Sequence, residues 1–71
     1  MDTNEIAVVT YSGKFMFISF NYHRECIDTL KLATKSRKWL PVRKDWQLNI
    51  DERDIALEIM KRFFIVKEVN R

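Results

Sequence analysis

The sequence predicts a small α+β domain in which a short antiparallel sheet packs on two helices, in the order ββαββα. Two patterns predict this class. Runs of alternating apolar residues come in two pairs, and each pair is followed by a segment with apolar residues at three- and four-residue spacing. The chain has 71 residues, which suffice for one hydrophobic core but not for two. We therefore expect residues 1–71 to form a single domain.

The first pair of runs surrounds the only glycine of the chain, Gly13. The runs EIAVVTY and KFMFISF flank Ser12-Gly13, where a tight hairpin needs a residue that tolerates positive φ. In the second run Phe15 and Phe17 share one face and Met16 lies on the other, so both faces are apolar. Either this strand is covered on both sides, or Phe15 and Phe17 meet a partner, as in a homodimer or at a docking surface. The small size of the domain favours a partner.

A first helix is predicted over residues 22–35, with Asn21 as its N-cap. His23 falls in the first turn and is interpreted as an exposed polar side chain, since no nucleophile or carboxylate has a catalytic spacing with it. Cys26 is expected to behave as a small buried hydrophobe. The predicted apolar face consists of Cys26, Ile27, Leu30, Ala33 and Thr34.

A second hairpin joins Lys38–Leu40 to residues 46–50 through the turn PVRKD. Asp51 then opens a second helix, whose early carboxylates, Glu52 among them, suit the positive end of the helix dipole. The predicted buried stripe of this helix consists of Ile55, Ala56, Ile59, Met60 and Phe63. Residues Ile65–Val69 are β-branched enough to add a short strand, and fraying of this end is the alternative.

Positive charge is concentrated in residues 31–46, which read KLATKSRKWLPVRKDW. This segment has six basic residues against one acid, Asp45, and carries +5, whereas the whole chain carries +3. Both tryptophans of the chain lie in it, and basic groups interleaved with flat aromatic rings suit a polyanion that has bases to stack. The segment therefore predicts binding of DNA or RNA, against the alternative of a solvated charged face. The candidate binding residues are Lys31, Lys35, Arg37, Lys38, Trp39, Arg43 and Lys44.

These candidates have different predicted roles. The six cations are expected to hold several phosphates if the end of the first helix and the second turn lie together, and such contacts position a nucleic acid without reading its sequence. Trp46 begins an alternating strand and is interpreted as a core anchor. Trp39 stands beside Pro41 in a less periodic piece, where core and contact surface are equal alternatives. It is the better candidate for stacking on a base.

Three features of residues 15–60 recur in a known family. An aromatic residue follows a basic pair in Arg37-Lys38-Trp39, a Trp starts an alternating strand after a basic turn in RKDWQL, and Lys31 ends the apolar run of the first helix. In these features the chain resembles the HARP domain, which is found beside the motors of annealing helicases. HARP domains recognise DNA structure, such as forks and junctions between single and double strands. The resemblance implies a DNA-binding module that serves a helicase or repair machine, alone or as the N-terminal domain of a longer chain.

The sequence indicates no reaction. It has one cysteine and one histidine, too few for an internal disulfide or a zinc site, and it has no P-loop. The acids that open the second helix lack the loop geometry of a magnesium or calcium site. We therefore expect a binding module with no catalytic activity, no metal and no cofactor.

The sequence also predicts a location and a rival function. No apolar run approaches the ~20 residues that cross a bilayer, and MDTNEIAVV begins with acids where a signal peptide needs bases. We expect a soluble intracellular protein, cytoplasmic or nuclear, that is neither secreted nor membrane-bound. The rival is a protein-interaction module, such as a viral or plasmid-borne inhibitor or a homodimeric adaptor. An exposed patch of Phe15 and Phe17 remote from the basic segment favours this rival, and their burial favours nucleic acid.

Overall fold

The computed structural model describes residues 5–69 and arranges them as a five-stranded sheet with two α-helices on one face. The α+β class and the order ββαββα are confirmed, and a fifth strand follows the second helix. The elements are β1 Ile6–Ser12, β2 Phe15–Ser19, α1 Arg24–Ala33, β3 Lys38–Leu40, β4 Asp45–Asn49, a 3-10 turn Ile50–Glu52, α2 Arg53–Phe63 and β5 Ile65–Val69.

The sheet is mixed rather than wholly antiparallel, because β5 runs parallel to β1. The strand order is β3-β4-β2-β1-β5, and the other three pairings are antiparallel. β4 and β5 therefore run parallel to each other, and α2 connects them as the crossover helix that parallel strands require. Residues Ile65–Val69, for which strand and frayed end were both open, form the strand at this edge.

Both hairpin turns contain a residue with positive φ. Gly13 has a φ of +60° in the connection of β1 to β2, with Ser12 paired to Phe15 across the turn, as its position in the sequence predicted. Lys44 has a φ of +57° at the end of the turn between β3 and β4, and its backbone N–H donates to the Leu40 carbonyl at 2.7 Å. Within residues 5–69, Lys44 is the only residue other than glycine with this conformation.

One cluster of buried side chains joins the sheet to both helices. Cys26 is fully buried in it, as predicted, and its Sγ lies 3.6 Å from the Met60 Sδ. Burial raises the pKa of the Cys26 thiol to about 11, because the thiolate loses its hydration. A thiol that stays protonated at neutral pH is typical of a structural cysteine. The other members of the cluster are Ala7, Val9, Met16, Ile18, Leu30, Leu48, Ala56, Leu57, Ile59 and Phe64.

The first helix lies inside its predicted bounds, and its N-cap is His23 rather than Asn21. The His23 Nδ1 accepts a hydrogen bond from the backbone N–H of Cys26 at 3.1 Å. The prediction of an exposed His23 is wrong, because its ring packs on Phe63 and Phe64 at centroid distances of 5.0 and 5.7 Å. Asparagine is the more usual cap, so residue preference favoured Asn21, and packing of the imidazole ring decided otherwise.

The buried face of α2 is rotated relative to its prediction. Leu57 is buried, whereas Ile55 is 41% exposed. Because α2 contacts both α1 and β5, two neighbours decide which of its side chains are covered. The helical spacing correctly predicted an apolar stripe on α2. Which residues lie at the middle of that stripe depends on the position of β5 as well as of α1.

Candidate nucleic-acid interface

An open groove of ≈ 440 Å³ lies between α1 and the β3–β4 hairpin, on the helix-bearing side of the sheet. We call it the aromatic groove. It is lined by Phe20, Tyr22, Ile27, Lys31, Trp39 and Trp46. Lys31 is the only charged residue in this lining, and no acidic residue of the described chain contributes to it. The groove is therefore apolar and aromatic, with one positive charge.

A pair of tryptophans forms the hairpin side of the groove. Trp39 and Trp46 are register partners across β3 and β4, with ring centroids 5.2 Å apart and planes inclined at 54°. Trp46 is half-buried, packs on the core and pairs with Ile18 of β2. Trp39 belongs to the edge strand and is 45% exposed. Trp46 thus anchors the hairpin, and Trp39 presents the accessible indole.

Helix α1 and the residues before it form the opposite side. Ile27 and Lys31 are four residues apart, so they lie one turn apart on the same side of α1. Tyr22 immediately precedes the N-cap His23 and is 79% exposed. Sequence reasoning placed Tyr22 inside the helix and gave it no role. Its only local signal is an aromatic residue just before a helix start.

The six predicted cations do not form one cluster. Lys31 lies in the aromatic groove with Trp39. Because side chains alternate along β3, Lys38 lies on the face opposite to Trp39. Arg43 also lies on that opposite face, over the ring of Phe17. Of the predicted site residues, the fold therefore brings Lys31 and Trp39 together and separates them from Lys38 and Arg43.

The arginines of the basic segment are engaged within the protein. Arg37 donates from Nη1 to the Thr34 carbonyl at 2.8 Å, next to the end of α1. The Nε of Arg43 lies 3.3 Å from an Asp45 carboxylate oxygen, and its guanidinium lies 4.3 Å from the Phe17 ring centre. In residues 5–69 every salt bridge uses an arginine and none uses a lysine. The ammonium groups of the segment that form no salt bridge in the described chain are those of Lys31, Lys35, Lys38 and Lys44, of which Lys35 lies near the Glu52 carboxylate.

Glu52 holds the residues of the basic segment that lie between α1 and β3 in place. Its carboxylate accepts hydrogen bonds from the backbone N–H groups of Lys35 at 2.9 Å and Ser36 at 3.0 Å, and from the Ser36 hydroxyl. The Ser36 Oγ in turn accepts from the backbone N–H of Asn49 at 2.9 Å. The hydrogen bond from the Ser36 hydroxyl, followed by those from the backbone, lowers the pKa of Glu52. Glu52 therefore joins the entry of β3 to β4 and to the start of α2.

We call the sheet face opposite the helices the open sheet face. The two phenylalanines predicted to contact a partner, Phe15 and Phe17, lie on it and differ in exposure. Phe17 is 8% exposed beneath Arg43, whereas Phe15 is 39% exposed. They therefore do not form one exposed patch, and the residue that covers Phe17 comes from the basic segment. Beside them Asp45 is 7% exposed, and within the described chain its Oδ1 has no hydrogen-bond partner.

The chemistry available in the groove is stacking on aromatic rings beside one ammonium charge.

The described part of the chain has no group of three or more His, Cys, Asp or Glu side chains that could hold a metal ion. Among the helices within residues 5–69, none has the length and apolar character needed to cross a membrane. Comparisons with protein-family models, with curated proteins and with solved structures found no match.

Proposed function

We propose that this chain is a nucleic-acid-binding domain that holds single-stranded or forked DNA, or RNA, and has no catalysis of its own. The observation that carries the proposal is the aromatic groove, where the exposed rings of Trp39 and Tyr22 lie with Lys31. Aromatic rings offer stacking surfaces to bases, and the ammonium group attracts a phosphate. Binding of this kind has little sequence preference, because phosphate contacts carry no base code.

Three further lysines support the proposal by their positions around the hairpin. Lys35 precedes β3, Lys38 lies in β3 on the open sheet face, and Lys44 lies in the turn that follows β3. None of the three forms a salt bridge among residues 5–69, although Lys35 lies near enough to Glu52 for its charge to help lower the pKa of that carboxyl. A strand of nucleic acid that enters the groove can thus continue around the β3 edge and meet further positive charge.

The resemblance to the HARP domain suggests what this binding serves. The residues that carry it, Arg37-Lys38-Trp39 and RKDWQL, form β3, the following turn and β4, which are the hairpin side of the groove. We propose that the domain presents forks, or junctions between single and double strands, to a helicase or repair motor. It acts there either as a separate accessory protein or as one domain of a longer protein.

Fluorescence anisotropy with labelled forked, single-stranded and duplex oligonucleotides tests the proposal. We expect binding at low salt that weakens as salt rises, with a log–log slope of about −0.7 per phosphate contact on single strands. The triple variant Lys31→Gln/Lys35→Gln/Lys38→Gln loses three such contacts, so its affinity should fall roughly 100-fold at 0.1 M salt.

A second triple variant provides the matched control. Lys14→Gln/Lys61→Gln/Lys67→Gln removes the same charge from three exposed lysines outside the segment. We expect it to weaken binding less than about 5-fold, because only the general field of the protein changes. Absence of binding to every oligonucleotide at low salt contradicts the proposal. Equal losses of oligonucleotide affinity in the two triple variants contradict the assignment of binding to the basic segment.

A second candidate function, protein interaction, is favoured by the apolar end of the open sheet face. Ile6 and Ile65 are register partners on β1 and β5 and are 51% and 53% exposed. Val69 on the same face is 37% exposed. Ile6 and Ile65 are adjacent, whereas Val69 lies at the far end of β5 beyond the exposed Lys67. Adjacent exposed apolar side chains are typical of protein contacts. Sedimentation equilibrium tests a homodimer through this face: a dimer that Ile65→Lys converts to a monomer supports it, and a wild-type monomer at high concentration contradicts it.

A further inference from the structure

We infer that the aromatic groove receives an unstacked nucleobase, so that the domain prefers unpaired nucleotides to a continuous duplex. The inference rests on the proposed nucleic-acid binding and narrows it to one ligand class, a single strand or the unpaired arm of a fork. In a duplex each base is stacked on both faces and presents only its edges in the grooves. An unpaired base exposes its flat face, which every base has, and can lie on an aromatic ring.

The size and shape of the groove suit such a group. Its volume of ≈ 440 Å³ lies within the range of roughly 300–1,000 Å³ found for sites of small organic ligands. Phe20 and Trp46 pack on the core and form its base. Tyr22 and Trp39 are its two accessible rings, one from each side. A volume of this size accommodates one base with part of its sugar, and an intact duplex cannot insert a base while its bases stay stacked.

The charge of the groove distinguishes a nucleotide from other occupants. Lys31 is the one charged residue of the lining, and in the described chain no carboxylate pairs with it. A nucleotide combines a flat apolar face with a negative charge a short distance away. A peptide combines the two features only where an aromatic side chain stands close to a carboxylate, whereas every nucleotide of a strand has both. Tyr22 and Trp39 are thus assigned to stacking, and Lys31 to the adjoining phosphate.

Tryptophan fluorescence reports directly on this site, because the chain has two tryptophans and both line the groove. The probes are an oligothymidylate of about 12 nucleotides, within the span of small single-strand-binding domains, a blunt duplex of equal length, and an abasic sugar-phosphate oligomer. We expect the oligothymidylate to quench the emission. The duplex and the abasic oligomer should bind more weakly, as measured by anisotropy, and leave the emission unchanged.

Tyr22→Ala separates stacking from charge. Tyr22 is 79% exposed, so its removal leaves the core intact. The affinity for the oligothymidylate should fall about 10-fold, the effect of roughly 1.4 kcal/mol of lost stacking, while the affinity for duplex changes less than about 2-fold. The matched control is Leu32→Ala, which removes a 90% exposed side chain of α1 that does not line the groove. It should change neither affinity.

The outcomes separate this inference from the proposed function. Binding of all oligonucleotides without a change in tryptophan emission, or an equal loss for strand and duplex in Tyr22→Ala, leaves nucleic-acid binding standing and overturns the groove assignment. Binding of none of the oligonucleotides overturns both. Quenching by an aromatic or proline-rich peptide but not by oligothymidylate assigns the groove to a protein ligand and likewise overturns the inference.

Discussion

The two ends of the sheet differ in how their charged groups are used. At the β5 end Tyr11, Arg53 and Glu68 link β1, α2 and β5 through their side chains, and their charges satisfy one another. At the β3 end the aromatic groove is open, and the neighbouring lysines form no salt bridge among the described residues. Lys67 of β5 also forms no salt bridge, so the two ends differ in the open groove and in the lysines that surround it. The proposal of a binding surface at the β3 end rests on that difference.

The cluster at the β5 end is closed on itself. The Nε of Arg53 donates to the Tyr11 hydroxyl at 3.0 Å, and its Nη2 lies 3.2 Å from a Glu68 carboxylate oxygen that also accepts from Tyr11. Burial, followed by the hydrogen bond to Glu68, raises the pKa of Tyr11, whereas the hydrogen bond from Tyr11 lowers the pKa of Glu68. These contacts hold β5 to β1 and α2 and leave no charge for a ligand.

Arginines and lysines differ in whether they have a partner within the protein. Each arginine in residues 5–69 has a partner within the protein, either a carboxylate or, for Arg37, a backbone carbonyl. No lysine in this range forms a salt bridge. The planar fork of arginine suits fixed bidentate contacts, while lysine is a mobile point charge. A list of basic residues taken from the sequence therefore mixes structural cations with available ones.

The prediction with the largest expected effect tests how the β3 end of the sheet is held in place. Glu52→Ala removes the carboxylate that fixes Lys35 and Ser36 ahead of β3. Hydrogen bonds to a charged group stabilise more than neutral ones, so the free energy of unfolding should fall by about 2 kcal/mol. Urea unfolding measures this loss as a lower midpoint at unchanged slope. Native tryptophan emission should also shift, because Trp39 follows this anchor closely in the chain.

Glu58→Ala is the control for that prediction. It removes the same charge from α2, where Glu58 pairs with Arg62 at 4.0 Å and both side chains are mostly exposed. The free energy of unfolding should change by less than about 0.5 kcal/mol. If Glu52→Ala is no less stable than Glu58→Ala, the β3 end of the sheet does not depend on this anchor.

A smaller effect tests the division between arginine and lysine. Arg43→Gln uncovers Phe17 and leaves the buried Asp45 without its ion pair, so the free energy of unfolding should fall by about 1 kcal/mol. Lys38→Gln should leave stability unchanged and weaken oligonucleotide binding instead. Urea unfolding and anisotropy on both variants measure the two effects. Recovery of stability in Arg43→Gln/Asp45→Asn confirms the role of the pair, and equal binding losses in the two single variants contradict the division.

Local patterns were sufficient to predict most of the fold. Alternation and turn chemistry located both hairpins, including the positive φ of Gly13, and helical spacing located both helices. The parallel direction of β5 was not predictable from residues Ile65–Val69, because the crossover through α2 sets it. The prediction of Asn21 as the N-cap was wrong for a similar reason, since the packing of His23 on Phe63 outweighed the preference for asparagine.

The candidate site was predictable only in part. Trp39 and Lys31 were recognised from composition, and the fold places them in one groove. Alternation along β3 puts Lys38 and Trp39 on opposite faces, but the pairing of β3 with β4 decides which of the two faces the helices, and no local pattern specifies that choice. Tyr22 and Glu52 were missed because their roles depend on contacts between segments distant in the chain.

The smallest expected effect concerns the β5 end and appears as a dependence of stability on pH. The pKa of Glu68 lies below its ordinary 4.5 because the carboxylate accepts a hydrogen bond from Tyr11 and pairs with Arg53. Such a group contributes stability that is present above pH 4.5 and is lost as the pH falls through its lower folded pKa. Tyr11→Phe removes the main cause of the shift. The stability difference between wild type and variant should therefore be present at neutral pH and shrink on acidification.

Urea midpoints at neutral pH and at about pH 3 measure this difference, and the effect stays small because Arg53 and Glu68 are both partly exposed. The depressed pKa of Glu52 adds an acid-sensitive contribution of the same sign that Tyr11→Phe leaves untouched, so the variant keeps part of the wild-type acid response. Tyr22→Phe removes a hydroxyl from the other end of the molecule and should reproduce the wild-type profile. A difference between wild type and Tyr11→Phe that is constant across this range means that the Tyr11 hydroxyl acts through packing alone.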